Sequence, residues 1–315
     1  MVHLRCASWL SAAAFVASLA AFASSASAAV SYGAPAGWPS LATAALLVND
    51  LPAGATVDHQ RYVKPDSSAL AEYDRSFAPL TARVNGKKML ALEDDVSIGK
   101  TAAQADATIS ALPLGAAIVA PVLSAEFSKE AHLKATYTKI GRVTSLGVGS
   151  NSVCIVIRLG TKVGEIRFVL AAVRVNQIDS LFVFAGLPRG QVGVPEAQTL
   201  ARLISKRVRS AMSPQNTVLP AITGSAQVGQ TLTASSGTWL GSATTYSYQW
   251  QQCDPTGATC SDIAGATAPT YIPIDAEANT TLRVKVAATN AFGAATPVQS
   301  QATALVAPTP PPPAG

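Results

Sequence analysis

Few residues in this chain have types and spacing suited to chemistry, and two cysteines stand out first. Cys253 and Cys260 bracket DPTGAT in the stretch YQWQQCDPTGATC. Zinc would need about four ligands, and no other cysteine or histidine lies between residues 219 and 306. A redox pair would show C-x-x-C spacing at a helix N-terminus, where the dipole lowers one thiol's pKa; neither condition is met. Pro255 and Gly257 supply turn geometry between two strand-like runs, which predicts a disulfide stapling a hairpin. Closing so short a loop is worth about 2–3 kcal/mol on chain-entropy grounds.

Glu93, Asp94 and Asp95 in LALEDDVSI form the acidic cluster, which could hold a hard cation or act as an acid/base pair. Neighbouring strand residues point to opposite faces, so at most Glu93 and Asp95 converge, and the expectation is a solvated strand edge. His59 and His132 are the histidines beyond the first thirty residues. Neither sits in the context of an oriented general base, and G-x-S-x-G is absent. The loop GLPRGQVGVPEA lies between a strand and a helix but lacks phosphate-loop spacing, so it reads as a flexible connection. Arg189 within it could still meet an anionic ligand. Asn279 begins an NTT sequon, but the alanine-rich composition argues against its glycosylation. No catalytic residue, metal or cofactor is therefore expected, and a hydrolase or cation-dependent enzyme centred on these groups remains a rival reading.

The elements that must carry these residues begin with an N-terminal segment. Arg5, the apolar run ASWLSAAAFVASLAAFA and the small residues SSASAA predict a signal peptide over residues 1–29, with an A-x-A-like site at Ala26 to Ala28. The run is diluted by alanine and shorter than a bilayer span. Its removal takes Cys6 and leaves three cysteines, of which Cys154 in SVCIVIRL is expected to be unpaired. A secreted or extracytoplasmic protein follows, associated with the cell wall in one reading, with no transmembrane segment in the mature chain.

Of the 315 residues, 49% are hydrophobic and 13% charged, which indicates packed structure rather than disorder, and about 285 mature residues suggest two domains. The net charge of +5 is scattered rather than clustered with aromatics, which argues against nucleic acid. It leaves a weak attraction to anionic wall polymers or lipid headgroups. The first domain, 38–212, mixes strand and helix signals. LATAALLVNDLPAG suggests a short apolar helix, and strands follow in ATVDHQRYVK, AEYDRSFAPL and KKMLALEDDVSI. In KTAAQADATISAL, Ala102, Ala105, Ile109 and Leu112 form one helical stripe. From Thr136 four β-rich runs separated by short turns predict an antiparallel meander, then a helix over PEAQTLARLISKRVRSAM. Pro195 and Glu196 suit its start and Lys206, Arg207 and Arg209 its end. Leu200, Leu203, Ile204, Val208 and Met212 give it an apolar face to lay across the sheet.

After a linker over 213–218, residues 219–306 read as six short strands at sandwich-like spacing, with a Pro-rich tail over 307–315. Tyr248 and Trp250 share one strand face. Leu282, Val284, Val286 and Ala288 form an inward face. The fold class expected is thus α+β, an antiparallel sheet covered by helices, followed by an all-β sandwich.

Two resemblances refine this. The motifs VGQTLTASSGTW, YSYQWQQC with six residues to Cys260, and TAPTYIPIDAEANTTLRVKVAATNAFG resemble a bacterial, actinobacterial-type immunoglobulin-like domain. Leu232 and Val284 stand where antibody-type domains carry their bridging cysteines, so the core is expected to rest on packing around Trp250. The DLPAG entry and the twice-given order of strands then helix resemble the α+β extracytoplasmic domains of actinobacterial lipoproteins and of a mycobacterial kinase sensor. That resemblance implies a non-enzymatic domain that binds a lipidic or cell-wall ligand in a cleft; the expected function is an N-terminal domain binding a ligand or partner, lipid or protein, with the immunoglobulin-like domain as a spacer or adhesion module. A purely structural protein with protein contacts alone is the alternative.

Overall fold

The computed structural model describes residues 32–51, 55–65, 69–77, 83–84, 87–130, 134–162, 164–186 and 192–309. The predicted signal segment, the PAG of DLPAG, His132, Arg189 and most of the Pro-rich tail lie outside the described residues. The chain divides into two compact units, one of residues 40–211 and one of residues 212–315 with Gly37–Pro39. Strand dominates both.

The first unit is built on an antiparallel sheet. Its strands are β1 (Val57–Val63), β2 (Ala69–Phe77), β3 (Arg83–Val84), β4 (Lys87–Gly99), β5 (Ala135–Ile140), β6 (Thr144–Ser145), β7 (Asn151–Thr161), β8 (Gly164–Val175) and β9 (Ile178–Gly186). The order is β1-β2-β4-β9-β8-β7-β5, with β3 on β4 and β6 on β7. β7, β8 and β9 form the meander that the short turns between apolar runs foretell. β8 and β9 are buried on both faces over most of their length, which is why their apolar residues run almost without interruption.

Helix α1 (Leu41–Ala44) is a single turn, followed by a 3₁₀ turn at Val48–Asp50. Helix α2 (Ala102–Glu130) starts at Thr101, whose hydroxyl accepts the Gln104 N–H. The sequence signal ends at Leu112, yet the helix runs on through Pro113 and Pro121 for 29 residues. Packing explains the difference. Ile109, Leu112, Ala116, Ala120 and Leu123 all bury against Ile155, Ile157, Phe168, Leu170 and Val183 of the sheet, so tertiary contact overrides the breaker signals. Polar contacts pin both ends: Asp106 takes Arg174 at 3.3 Å and Asn151 Nδ2 at 2.8 Å, and Ser124 and Ser128 bond the Ala135 backbone.

Helix α3 (Val194–Met212) opens with Glu196 reaching back to the Gly193 N–H at 2.8 Å. Its Ala197, Leu200, Ala201, Ile204 and Val208 are buried, each large aliphatic contributing about 2 kcal/mol gross. Arg207 bonds the Ala45 carbonyl and pairs with Asp50, fastening the 41–51 segment to α3. No helix among the described residues is long and apolar enough to cross a membrane.

The second unit contains β10 (Gln215–Val218) to β19 (Val298–Gln299). Gln215–Val218, expected as linker, pairs with β13 (Thr238–Leu240). A three-stranded sheet holds β11 (Ile222–Thr223), β12 (Leu232–Ala234) and β16 (Thr270–Tyr271). A five-stranded sheet centres on β14 (Thr245–Cys253) and β17 (Thr281–Asn290), paired over nine residues with Trp250 opposite Val284. Leu232 and Ala234 of the first sheet pack with Trp250, Leu282, Val284 and Val286 of the second. Tyr248 is half-buried at the edge of this cluster, whereas Trp250 lies at its centre, stacked on Tyr271 at 5.5 Å and donating to the Ala268 carbonyl. Trp38 belongs to this unit, its ring edge-on to Phe292.

Candidate functional site

β4 is a central strand, flanked by β2 and β9, so its acidic run is interior rather than at a solvated edge. Glu93 is 2% exposed and Asp94 0%, which overturns the sequence expectation for both; Asp95 is half-buried. The register shows why burial was foreseeable. Leu92, Val96 and Ile98 recur at two-residue spacing on an inward face, and Asp94 occupies a position in that apolar series.

The two faces of β4 treat their carboxylates differently. On the Asp94 face, the carboxylate accepts the Leu46 N–H at 2.7 Å and the Ser180 hydroxyl at 2.6 Å. Arg75, opposite Asp94 in register, donates to the Leu46 carbonyl at 2.7 Å, to the Tyr73 hydroxyl and to Gln60. This network clamps the 41–51 segment onto the sheet. Burial still lifts Asp94 to about 6, against the lowering effect of those donors and Arg75.

On the opposite face, Asp74 of β2 stands across from Asp95, with Glu93 two residues along β4. One carboxylate oxygen from each of Asp74, Glu93 and Asp95 lies within 4.8 Å of the other two. Sequence alternation anticipated the convergence of Glu93 and Asp95; it could not supply Asp74, which arrives only through the β2–β4 register. Val183 and Leu181, register partners of Glu93 and Asp95 on β9, belong to the apolar cluster beneath α2. Neither Glu93 oxygen has a hydrogen-bond partner among the described residues. Burial first, then the Asp74 charge, pushes Glu93 up to about 8, while Arg61 opposes this. Asp95 is raised by burial and by the surrounding carboxylates of Glu93, Asp74, Glu72 and Asp94.

A second feature lies on the outer side of α2. Leu114, Ile118 and Val122, four residues apart, are 68%, 47% and 42% exposed, beside the exposed prolines 113 and 121. No charged residue occurs between Asp106 and Glu126. The helix is thus apolar on the face it buries and on the face it shows, which periodicity ending at Leu112 did not disclose.

The remaining sequence candidates are placed as follows. Cys253 and Cys260 face each other across the β14–β15 (Cys260–Asp262) pair and are joined by a disulfide. The turn between them is organised by Asp254, whose carboxylate accepts the N–H groups of Thr256, Ala258 and Thr259 and the Thr256 hydroxyl. Sequence reading credited Pro255 and Gly257 and missed Asp254, although an Asp opening a Thr- and Gly-rich turn is the Asx-turn signature. Cys154 is a free, buried thiol, its pKa pushed up to about 11 by desolvation. His59 lies on β1 in register with Ser76. Asn279 has a positive φ of 61°, which asparagine tolerates better than most residues.

No family model matches the chain, and no curated protein matches it. Among solved structures, the extracellular domain of PknH from Mycobacterium tuberculosis is similar over 49% of this chain and 85% of that chain, with 9% identity and a TM-score of 0.31. Domains A168-A170 from titin are similar over 81% of this chain and 100% of that chain, with 10% identity and a TM-score of 0.23.

Proposed function

We propose that this chain is a secreted envelope protein without catalytic activity. Its N-terminal α+β domain docks on an apolar envelope component, and its C-terminal immunoglobulin-like sandwich acts as a spacer or adhesion module. The observation that carries the reading is the exposed stripe of Leu114, Ile118 and Val122 on α2. Covering what these three side chains leave in water is worth about 3 kcal/mol gross, enough to favour a partner when spread over a larger contact. The signal-like first 29 residues and the Cys253–Cys260 disulfide both suit an oxidising compartment outside the cytoplasm.

A non-catalytic role is supported by how the reactive groups are used. Asp94 is occupied in clamping the 41–51 segment, two cysteines are joined, and the Cys154 thiol is buried and held protonated at neutral pH. The partner class favoured is lipid, because the stripe lies on a convex helix flanked by alanine and proline rather than by hydrogen-bonding side chains. Co-sedimentation of the chain with vesicles of phosphatidylcholine and phosphatidylglycerol tests this. The chain should pellet with the vesicles, and the double variant Leu114→Glu, Ile118→Glu should stay in the supernatant with unchanged far-ultraviolet circular dichroism. Equal partitioning of both proteins, or no pelleting by either, would refute the lipid assignment.

A further inference from the structure

We propose that Asp74, Glu93 and Asp95 form a binding site for a hard divalent cation, of which calcium fits best. Among the described residues the donor set is all carboxylate oxygen, and such sets select calcium, magnesium or manganese over softer metals. The three oxygens lie within 4.8 Å of one another, close enough to share one ion. Three protein carboxylates suit calcium, which takes six to eight oxygens in flexible geometry, better than magnesium, which keeps several waters and is usually held by one or two carboxylates. Strand pairing holds the donors: Asp74 and Asp95 are register partners, and Glu93 shares their face.

Glu93 supplies the independent sign that something is meant to sit there. Its carboxylate is almost wholly buried, points into the cluster, and has neither oxygen hydrogen-bonded among the described residues. A buried polar group is ordinarily satisfied, and an unsatisfied carboxylate is far costlier than an unsatisfied hydroxyl. Asp94, its sequence neighbour, shows that this chain satisfies a buried carboxylate when only architecture is needed, with one donor on each oxygen. A cation would complete Glu93 as Leu46 and Ser180 complete Asp94.

Charge points the same way. Arg61 approaches Asp74 at 3.8 Å but is 69% exposed, so it offsets only part of three converging carboxylates. Glu72, on the same face of β2, adds to the negative field at Asp95. Asp95 is half-buried, leaving a side through which an ion can enter and on which water completes the six to eight oxygens calcium takes. This site is distinct from the α2 stripe, so either proposal can fail without the other.

The test is isothermal titration of calcium chloride into the chelator-treated full chain at pH 7.5, with thermal melts alongside. One saturable calcium per chain and a higher melting temperature of the first unit are expected. Glu93→Gln, which keeps shape and removes charge, should fold as the parent and bind calcium at least about tenfold more weakly. Arg61→Gln, at an exposed position, should bind it at least as tightly, because a competing positive charge is gone. The proposal is overturned if the parent shows no saturable binding by about 10 mM calcium, beyond the range of extracellular calcium modules. It is also overturned if Glu93→Gln binds undiminished. Tighter binding of magnesium than of calcium would overturn the choice of ion.

Discussion

The two units handle their carboxylates in opposite ways. In the first unit Glu93, Asp94 and Asp95 are raised, with burial the largest cause in each. In the second, the half-buried Asp254 and the exposed Asp262 are lowered. The Thr256 hydroxyl and the Ala258 amide act on Asp254, and Lys285 and Gln251 on Asp262. Burial and donors pull in opposite directions, and Asp94, raised although both its oxygens are hydrogen-bonded, shows that complete burial outweighs two donors. Asp254 gathers four donors around a turn, while buried Glu93 has none among the described residues. A carboxylate near the surface gains turn order from its donors; one kept inside needs protein donors, as Asp94 has, or else a cation or a proton.

The largest expected consequence is a pH dependence of opposite sign in the two units. With calcium chelated, folded Glu93 holds its proton up to about 8 against an ordinary 4.5, so the folded state binds more protons across that window. Its stabilising contribution is full below about 4.5 and is lost as pH rises through 8, a change on the order of several kcal/mol in the first unit. Differential scanning calorimetry from pH 5 to 8 should show that unit's transition falling, and Glu93→Gln should flatten the slope. A slope unchanged by Glu93→Gln would break the comparison at its stronger end.

Reduction of the Cys253–Cys260 bridge sharpens the comparison from the other side. It should cost the second unit about 2–3 kcal/mol and lower its melting transition, leaving the first unit's transition and any calcium binding where they were. The smallest effect concerns the turn itself. Asp254→Ala should lower the second transition at neutral pH. Because the folded pKa of Asp254 is depressed below 3.8, the parent's advantage exists above that value and disappears as pH falls through the folded value. Parent and variant should therefore converge in strong acid; a constant gap at all pH would mean that the side chain acts by shape rather than by charge.

Much of this architecture can be read from residue patterns, and the places where it cannot have physical causes. Alternating apolar residues in TLRVKVAAT mark a half-buried strand, and the short continuous apolar runs in SVCIVIRLG and GEIRFVLAAVRV, bounded by turn residues, mark strands too, the second buried on both faces. Cys253 and Cys260 could be paired in advance because a hairpin turn places residues flanking it opposite each other. Asp74 could not be assigned to the acidic cluster, since it sits 19 residues before Glu93 and meets it only through strand register. The second half of α2 was hidden by Pro113, Gly115 and Pro121, whose local preference is outweighed by the burial of Ala116, Ala120 and Leu123 on the sheet. Asp94 was hidden by its charge: the alternation of Leu92, Val96 and Ile98 already placed it inward, and only the assumption that an acidic triplet seeks water turned it out.

Glu93 has no hydrogen-bond donor among the described residues because a cation completes it. A high-resolution crystal structure grown in calcium chloride measures this directly. An ion about 2.4 Å from an oxygen of each of Asp74, Glu93 and Asp95 is expected, with the Leu46 and Ser180 bonds to Asp94 unchanged. Glu93 oxygens hydrogen-bonded to protein groups, with no ion between the three carboxylates, would contradict it.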